Sequence, residues 1–196
     1  MDDTATLAPT VTLRRATLED GAALAALLCP EISSWVADWP DTMDEAVARQ
    51  RIASELADAE DGSSLPMVIE IEQGGRAPVV AGWFRLRLAS YDIDLAVMSC
   101  WIGRQFQGRG VAKDAVAAAL ALAMPELGAL RVGAYAMRSN ARSIRVLEEC
   151  GLRYVGERLV SLPARGRTEL LLCYERVTYA AIAPIQAEAA PVQRAA

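Results

Sequence analysis

The stretch Cys100-Trp-Ile-Gly-Arg-Gln-Phe-Gln-Gly-Arg-Gly-Val-Ala-Lys-Asp-Ala115 decides the fold, because it passes from a strand pattern to a helix pattern across a glycine-bearing turn. The strand pattern ends at Ile102, and the helix pattern begins at Val111. Gly108 and Gly110 can take positive φ angles and let a ligand come close to the backbone. The first amides of the helix lack partners and lie at the positive end of its dipole. The stretch therefore predicts a seat for an anion such as a phosphate or a pyrophosphate.

Two other phosphate-binding motifs do not fit this stretch. Gly103 and Gly108 have the spacing of a P-loop, but Arg109-Gly110 follow where that motif has lysine and then serine or threonine. A dinucleotide-binding fingerprint needs a third small residue where Lys113 stands, and an acid about twenty residues further on, where residues 130–134 offer none. From these residues alone, the alternative is a strand–helix turn that binds no ligand.

Outward from this stretch, hydrophobic periodicity and turn residues predict a mixed α/β domain with the order β-α-α-β-β-β-α-β-α-β-β. The predicted strands are 11–16, 66–73, 78–88, 93–102, 130–137, 154–160 and 168–177. The predicted helices are 17–28, 42–61, 111–124 and 140–150. Capping boxes at Thr17 and Thr42 are expected to open the first two helices, and Pro125 is expected to stop the third. Residues 30–40 are expected to form a loop or a short helix.

Length and composition are those of one globular domain. The chain has 196 residues, a formal net charge of −5 and no histidine. The domain is expected at 10–178, between a flexible N-terminus (1–9) and an Ala/Pro-rich tail (179–196). The acidic balance argues against a nucleic-acid partner, and the lack of histidine removes Ser-His-Asp and Cys-His catalysis.

Location is inferred from the same composition. No apolar run approaches the roughly 18 residues that a membrane span requires, and the start is acidic where a secretory signal is basic. Four widely spaced cysteines in apolar runs predict buried, reduced thiols. The expected location is therefore cytoplasmic, with no membrane partner.

Two motifs resemble one known family. Gln107-Gly-Arg-Gly110-Val-Ala112 matches the Q/R-x-x-G-x-G/A signature of the GNAT acetyltransferases. The segment 140–152 resembles the N-x-x-S…L…G-F segment of the Rim-type branch, which acetylates the N-termini of ribosomal proteins, with Leu152 in place of the usual phenylalanine. The order of elements agrees from about Val11 to Val177, which is most of the chain. Two motifs in register with one fold are far more specific than either motif alone.

The resemblance implies a central mixed, mostly antiparallel sheet of about seven strands flanked by about four helices. It also implies acetyl-CoA as co-substrate. No metal ion is expected, because the lack of histidine removes most zinc sites. The pyrophosphate would bind the backbone amides of Gln107, Gly108, Arg109, Gly110, Val111 and Ala112. The pantetheine arm would run along Cys100, Trp101 and Ile102 like an added strand, as an extended amide chain can pair with a free strand edge.

Two residues of the second motif complete the implied site. Asn140 would hydrogen-bond the pantetheine arm, and a helix N-cap is an equally good role for it. Ser143 would lie near the sulfur, although as a small helix residue it could equally serve packing. A homodimer is suggested by the same analogy, because related enzymes are often dimers.

For catalysis, a backbone N–H near Trp101 or Ile102 is expected to stabilise the oxyanion. Many GNAT enzymes protonate the departing thiolate with a tyrosine at the position of Leu147, so that acid is missing here. Ser143, directly or through a water molecule, is the expected replacement. No general base is assigned. Six carboxylates are candidates for that role, with a solvated surface acid as the alternative for each: Glu31, Asp38, Glu70, Glu72, Glu157 and Glu169.

The expected activity is transfer of an acetyl group from acetyl-CoA to a primary amine, either a protein N-terminal α-amine or a small-molecule amine. Residues 30–40 are expected to shape the acceptor cleft through Glu31, Trp35, Asp38 and Trp39, with core packing as the alternative for the two tryptophans. Acetylation of an antibiotic or metabolite amine for self-protection is one alternative function. A degenerate domain that binds acyl-CoA without turnover is another.

Overall fold

A computed structural model describes residues 9–178. Residues 1–8 and 179–196, which the sequence assigns to a flexible N-terminus and to the tail, lie outside the described residues. Seven strands are described: β1 (Thr10–Arg15), β2 (Ser64–Glu72), β3 (Val79–Ala89), β4 (Asp92–Ile102), β5 (Arg131–Ala136), β6 (Arg153–Leu162) and β7 (Arg167–Val177). Five α-helices are described: α1 (Gly21–Leu27), α2 (Pro30–Ser33), α3 (Glu45–Ala57), α4 (Val111–Leu127) and α5 (Ala141–Glu149).

The described strands form one sheet in the order β1-β2-β3-β4-β5-β7-β6. The neighbours β4 and β5 run parallel, whereas every other neighbouring pair of these strands is antiparallel. A parallel pair needs a crossover connection, and α4 supplies it. The mixed α/β fold expected from the sequence is confirmed, with the short helix α2 as an addition to the expected four.

Alternation of side chains along the strands divides the core into two layers. Phe84 and Ile102 point to one face and pack with residues of α4 and α5. Their neighbours Trp83 and Trp101 point to the other face and pack with α1, α2 and the loop at 34–44. This loop, which carries Trp35 and Trp39, is called the tryptophan loop below.

Several helix boundaries differ from the sequence prediction. The capping box at Thr17 opens a 3-10 turn at Leu18–Asp20, so α1 begins only at Gly21, and α3 ends at Ala57. Asp44, not Thr42, caps α3, because its carboxylate accepts the Val47 N–H at 2.8 Å. Helix α4 continues past Pro125 to Leu127.

The longer α4 has a physical reason. Pro125 lies in the last turn, where the ladder bond that a proline removes belongs to an exposed carbonyl that water can solvate. The helix ends instead at Gly128, which is left-handed and donates its N–H to the Met124 carbonyl at 2.8 Å. No helix among residues 9–178 is long and apolar enough to span a bilayer.

Candidate active site

The parallel strands β4 and β5 part before β4 ends. They pair from Leu95 with Arg131 to Met98 with Ala134, and β4 then continues to Ile102 while still paired with β3. The segment 99–102 thus has β3 on one side and a gap on the other. Since β4 and β5 are parallel, their carboxyl ends share one edge of the sheet, where α/β proteins commonly bind ligands.

The backbone of Cys100 and Ile102 faces this gap. Gly103 donates its N–H to the Ala81 carbonyl at 2.9 Å, so the backbone groups of Gly103 and, two residues earlier, Trp101 are directed to β3. Alternation directs the N–H and C=O groups of Cys100 and Ile102 the opposite way. Of the two amides expected from the sequence to stabilise an oxyanion, the Ile102 amide is therefore the one aimed into the gap.

The side chain of Gln107 closes the end of this edge. Its Nε2 donates a hydrogen bond to the Ile102 carbonyl at 2.8 Å. This bond ties the loop after β4 back to the strand and occupies the carbonyl, while the Ile102 N–H remains directed into the gap. Sequence reasoning placed Gln107 among the phosphate-binding amides and did not identify this side-chain role.

The loop after Gln107 forms an open backbone surface that leads into α4. Gly108 and Gly110 have φ angles of 75° and 83°, which favour glycine, and Gly110 precedes the first residue of the helix. A Cβ at either glycine would have no heavy atom within 4 Å, so the space above this backbone is open. The amides that begin α4 border that space, and Arg109 is exposed beside them.

The residues present fit a diphosphate. Val111 is 1 % exposed and Ala112 is half-buried, so these positions can offer a ligand their backbone and little else. Phosphate oxygens accept hydrogen bonds from the backbone N–H groups at a helix N-terminus and from arginine side chains, of which Arg104 and Arg109 are nearby.

At the other side of the gap, α5 begins just after β5. Asn140 caps it, because its Oδ1 accepts the Ser143 N–H at 3.1 Å. The capping role of Asn140 is therefore present in the structure. Ser143 is half-buried on the first turn, and Leu147, one turn further, lies in the core with 5 % exposure.

The thiol of Cys100 is held in its neutral form. Burial raises the pKa of the Cys100 thiol to about 11. All four cysteines are free in this structure, and the expectation of buried thiols is correct for Cys150 alone, because Cys29, Cys100 and Cys173 are half-buried. With no histidine in the sequence to accept its proton, Cys100 is a poor nucleophile at neutral pH.

The two tryptophans of the tryptophan loop have different environments. Trp39 is 2 % exposed, and its ring meets those of Trp83 and Trp101 edge-on, with centroids 5.2 Å and 5.3 Å apart. Trp35 is 44 % exposed. Only Trp35 of the pair is therefore accessible to a substrate, whereas Trp39 fixes the loop to the end of β4.

The two acids expected in the acceptor cleft are both paired. Glu31 is exposed and lies 3.7 Å from Arg104, and a hydrogen bond with the Cys29 side chain lowers the pKa of the Glu31 carboxyl. Asp38 is paired with Arg85 at 2.9 Å. The Glu31–Arg104 pair joins α2 to the loop after β4 and is too exposed to be strong.

The other acids weighed as bases stand apart from the gap. Glu70 and Glu72 lie on β2, two strands away from β4, and Glu70 is paired with Arg14. Glu157 and Glu169 lie on β6 and β7 and are paired with Arg138 and Arg167. The structure brings none of these four next to the end of β4.

Sequence reasoning missed a buried cluster of charges beside the tryptophan loop. Glu55 of α3 is 2 % exposed and accepts hydrogen bonds from Arg51 at 2.5 Å and Arg85 at 2.8 Å. Arg85 also holds Asp38, so this cluster joins α3, β3 and the loop. The sequence could have indicated this cluster, because Glu55 falls on the same buried face of α3 as Ala48 and Ile52.

An open gap between parallel strands, next to a glycine loop at a helix N-terminus, suits an extended ligand that carries a diphosphate. The family described as "Acetyltransferase (GNAT) domain" matches residues 10–153, and the chain belongs to this family. It is accordingly an acetyltransferase that uses acetyl-CoA.

Solved structures of several acetyltransferases share this fold. The microcin C7 self-immunity acetyltransferase MccE, solved with acetyl-CoA and AMP, is 17 % identical with a TM-score of 0.71, over 85 % of this chain and 92 % of that one. RimJ of Mycobacterium smegmatis, solved with CoA-disulfide, is 23 % identical with a TM-score of 0.68, over 88 % and 84 %. A putative ribosomal-protein-serine acetyltransferase of Vibrio cholerae is 17 % identical with a TM-score of 0.69, over 85 % and 93 %. No curated protein sequence matches this chain.

Proposed function

We propose that this chain acetylates a primary amine, either the N-terminal α-amine of a protein or the amine of a small molecule, by direct attack of the amine on the thioester. The observation that carries direct attack is the lack of an activated nucleophile. The sequence has no histidine, and burial keeps the Cys100 thiol protonated at neutral pH. At the end of β4, an acyl-enzyme intermediate therefore has no suitable residue to form on.

In this proposal, Gln107 to Ala112 hold the pyrophosphate through backbone amides, and the pantetheine arm lies along the free edge of β4, where the backbone of Cys100 is available to pair with it. Asn140 caps α5 with its Oδ1, which leaves its amide nitrogen to donate to the arm. Acetyl-CoA supplies an activated acetyl group that reacts with amines. The protein orients acetyl-CoA and stabilises the negative charge that develops on the thioester oxygen and on the departing thiolate.

Two groups serve the chemical step in this proposal. The Ile102 N–H donates to the thioester oxygen as negative charge develops there. The Ser143 hydroxyl, directly or through a water molecule, delivers a proton to the departing thiolate and regains one from the amine nitrogen, which loses a proton as the amide forms. Support for Ser143 comes from its place on the first turn of α5 and from Leu147, which is buried and cannot supply a proton.

The α-amine is the favoured acceptor because no general base is assigned. An α-amine has a pKa of about 8, and about a tenth of it is unprotonated at pH 7. A lysine amine has a pKa of about 10.4, which leaves about one part in a few thousand unprotonated. An α-amine can therefore react without help from a base far more readily.

Calorimetry with acetyl-CoA, followed by a thiol-release assay over a panel of amines, tests the proposal. The panel pairs each peptide that has a free N-terminus and no lysine with an N-terminally blocked peptide that has one lysine, and adds small amines including aminoglycosides and amino-sugar nucleosides. We expect acetyl-CoA binding and fastest thiol release with free α-amines. Release with small amines alone would support a self-protective role. Binding without thiol release for any amine would mean a domain that only binds acyl-CoA.

A further inference from the structure

The turn between β6 and β7 reaches across the molecule to the tryptophan loop. A 3-10 turn at Pro163–Arg165 forms its tip. The Ala164 N–H donates to the Ala37 carbonyl at 3.1 Å. The Arg165 side chain is only 11 % exposed and lies over the same loop. Strands β6 and β7, the last two that the structure describes, are thus joined to the tryptophan loop, which lies far from them in the sequence.

The guanidinium of Arg165 holds the tryptophan loop at several points. Its Nη2 donates to the carbonyl of Ser33, the residue before the loop, and to the Trp39 carbonyl at 3.1 Å. Its Nη1 lies 2.7 Å from the Asp41 carboxylate, which also accepts the Ser33 hydroxyl at 3.0 Å. The Ser33 carbonyl, the Trp39 carbonyl and the Asp41 carboxylate are thus all bound by one planar guanidinium group. A lysine ammonium does not have this fork of donors.

The loop that Arg165 holds is in direct contact with the reacting end of β4. The carbonyl of Trp39 accepts the Arg165 bond, and the ring of Trp39 packs on the ring of Trp101. Trp101 precedes Ile102, whose amide is directed into the gap. A displacement of the loop would therefore move its exposed residue, Trp35, relative to this amide.

The loop has a second anchor on its other side. Asp38 is bound by Arg85 of β3, in the buried charge cluster with Glu55. The anchor at Arg85 belongs to the side of the molecule formed by β3 and α3, whereas Arg165 belongs to the side formed by β6 and β7. The position of the loop relative to the β6–β7 turn consequently depends on Arg165, together with the Ala164–Ala37 hydrogen bond.

We infer that Arg165 is a positioning residue for the acceptor amine, which sets acceptor affinity and selectivity by fixing the tryptophan loop against the β6–β7 turn. The inference rests on the proposed amine acetylation. Arg165 acts through the loop and not on the reacting atoms. Its loss should therefore weaken acceptor binding and leave acetyl-CoA binding unchanged, because the cofactor surface at 107–112 does not contact it.

The full chain is tested as Arg165→Gln and Arg165→Lys, with Arg167→Gln as the matched control. Arg167 lies two residues further on, is 57 % exposed and pairs with Glu169. The acceptor is the peptide that releases thiol fastest in the amine panel. For Arg165→Gln we expect the acceptor KM to rise about tenfold with acetyl-CoA Kd within twofold of wild type, a partial recovery for Arg165→Lys, and no change for Arg167→Gln. An unchanged acceptor KM, or an equal loss for both substrates, overturns the inference.

Two further measurements keep the result interpretable. Asp41→Asn removes the ionic contact from the loop side, where the Asp41 side chain is 66 % exposed, so the fold should tolerate the replacement. We expect it to raise the acceptor KM by a smaller factor, and no rise overturns the inference. Hydrogen–deuterium exchange of residues 34–44 should be faster in Arg165→Gln than in Arg167→Gln. If no amine is acetylated, the proposed function fails, and this exchange still shows whether Arg165 holds the loop.

Discussion

At the scale of single residues, the cofactor surface depends on backbone conformation more than on side chains. Gly108 and Gly110 hold positive φ angles, and Val111 turns its side chain into the core. A substitution here acts through the position of an amide and through access to it. For this reason the spacing of the glycines predicts the cofactor surface better than the side chain of Arg109 between them does.

Gly110→Ala is expected to abolish measurable acetyl-CoA binding, and Gly128→Ala is its matched control. Both glycines flank α4 in the left-handed region, with φ of 83° and 67°, and both have open space around an added Cβ. The backbone strain of either variant should cost about 1 to 2 kcal/mol of unfolding free energy. Only Gly110 borders the proposed pyrophosphate seat. Calorimetry measures the acetyl-CoA affinity of both variants. An equal loss of affinity in the two would contradict a pyrophosphate site at Gly110.

Ser143→Ala is expected to reduce thiol release at least a hundredfold while acetyl-CoA binding stays within a few-fold of wild type, since general acid catalysis contributes about 10² to 10⁴. The cap of α5 remains, because Asn140 accepts the backbone N–H of this residue and not its hydroxyl. Ser139→Ala, at an exposed position just before the cap, is the control. Near-normal turnover of Ser143→Ala would exclude Ser143 as the proton donor.

At the scale of elements, a buried acid joins α3 to the sheet. Glu55 binds Arg85 of β3 and Arg51 of its own helix, and Arg87 lies 3.6 Å away. Replacing one partner of a buried ion pair leaves the remaining charge without compensation, which is costlier than losing an exposed pair. The cluster also orients Asp38, so the position of α3 and that of the tryptophan loop are coupled.

Glu55→Gln is therefore expected to lower the free energy of unfolding by about 3 kcal/mol. The control is Glu45→Gln on the same helix, where the exposed pair with Arg49 at 3.4 Å should contribute under about 0.5 kcal/mol. Urea unfolding followed by tryptophan fluorescence measures both variants. Equal stability of the two would mean that the buried cluster contributes no more than a surface pair.

At the scale of the whole molecule, the sequence predicts the order of elements but not the contacts between distant parts. Periodicity and the glycine turn located β4, α4 and the cap at Asn140, because those features depend on neighbouring residues. The parting of β4 from β5 depends on pairing between strands separated by a helix, so no local pattern indicates it. The same is true of Arg165, which lies in a short turn with an ordinary composition and meets its partners only in the folded chain.

Acetyl-CoA binding depends on local contacts, whereas acceptor binding is proposed to depend on distant ones. Thermal unfolding can test whether the two are independent. The cofactor surface is built from consecutive residues, 107–112, whereas the proposed acceptor side needs the β6–β7 turn and the tryptophan loop together. Acetyl-CoA at about a hundred times its Kd should stabilise the wild-type chain by about 2.7 kcal/mol, which raises the unfolding midpoint by about 5 to 10 °C for a domain of this size.

The shift should persist in Arg165→Gln and vanish in Gly110→Ala, even if the two variants start from similar midpoints. Each variant is compared with its own unliganded sample, so a general loss of stability does not affect the comparison. Loss of the acetyl-CoA shift in Arg165→Gln would show that the two surfaces are coupled through the end of β4, where Trp39 meets Trp101. Arg165 would then act on cofactor binding as well, and acceptor selectivity could not be attributed to the loop alone.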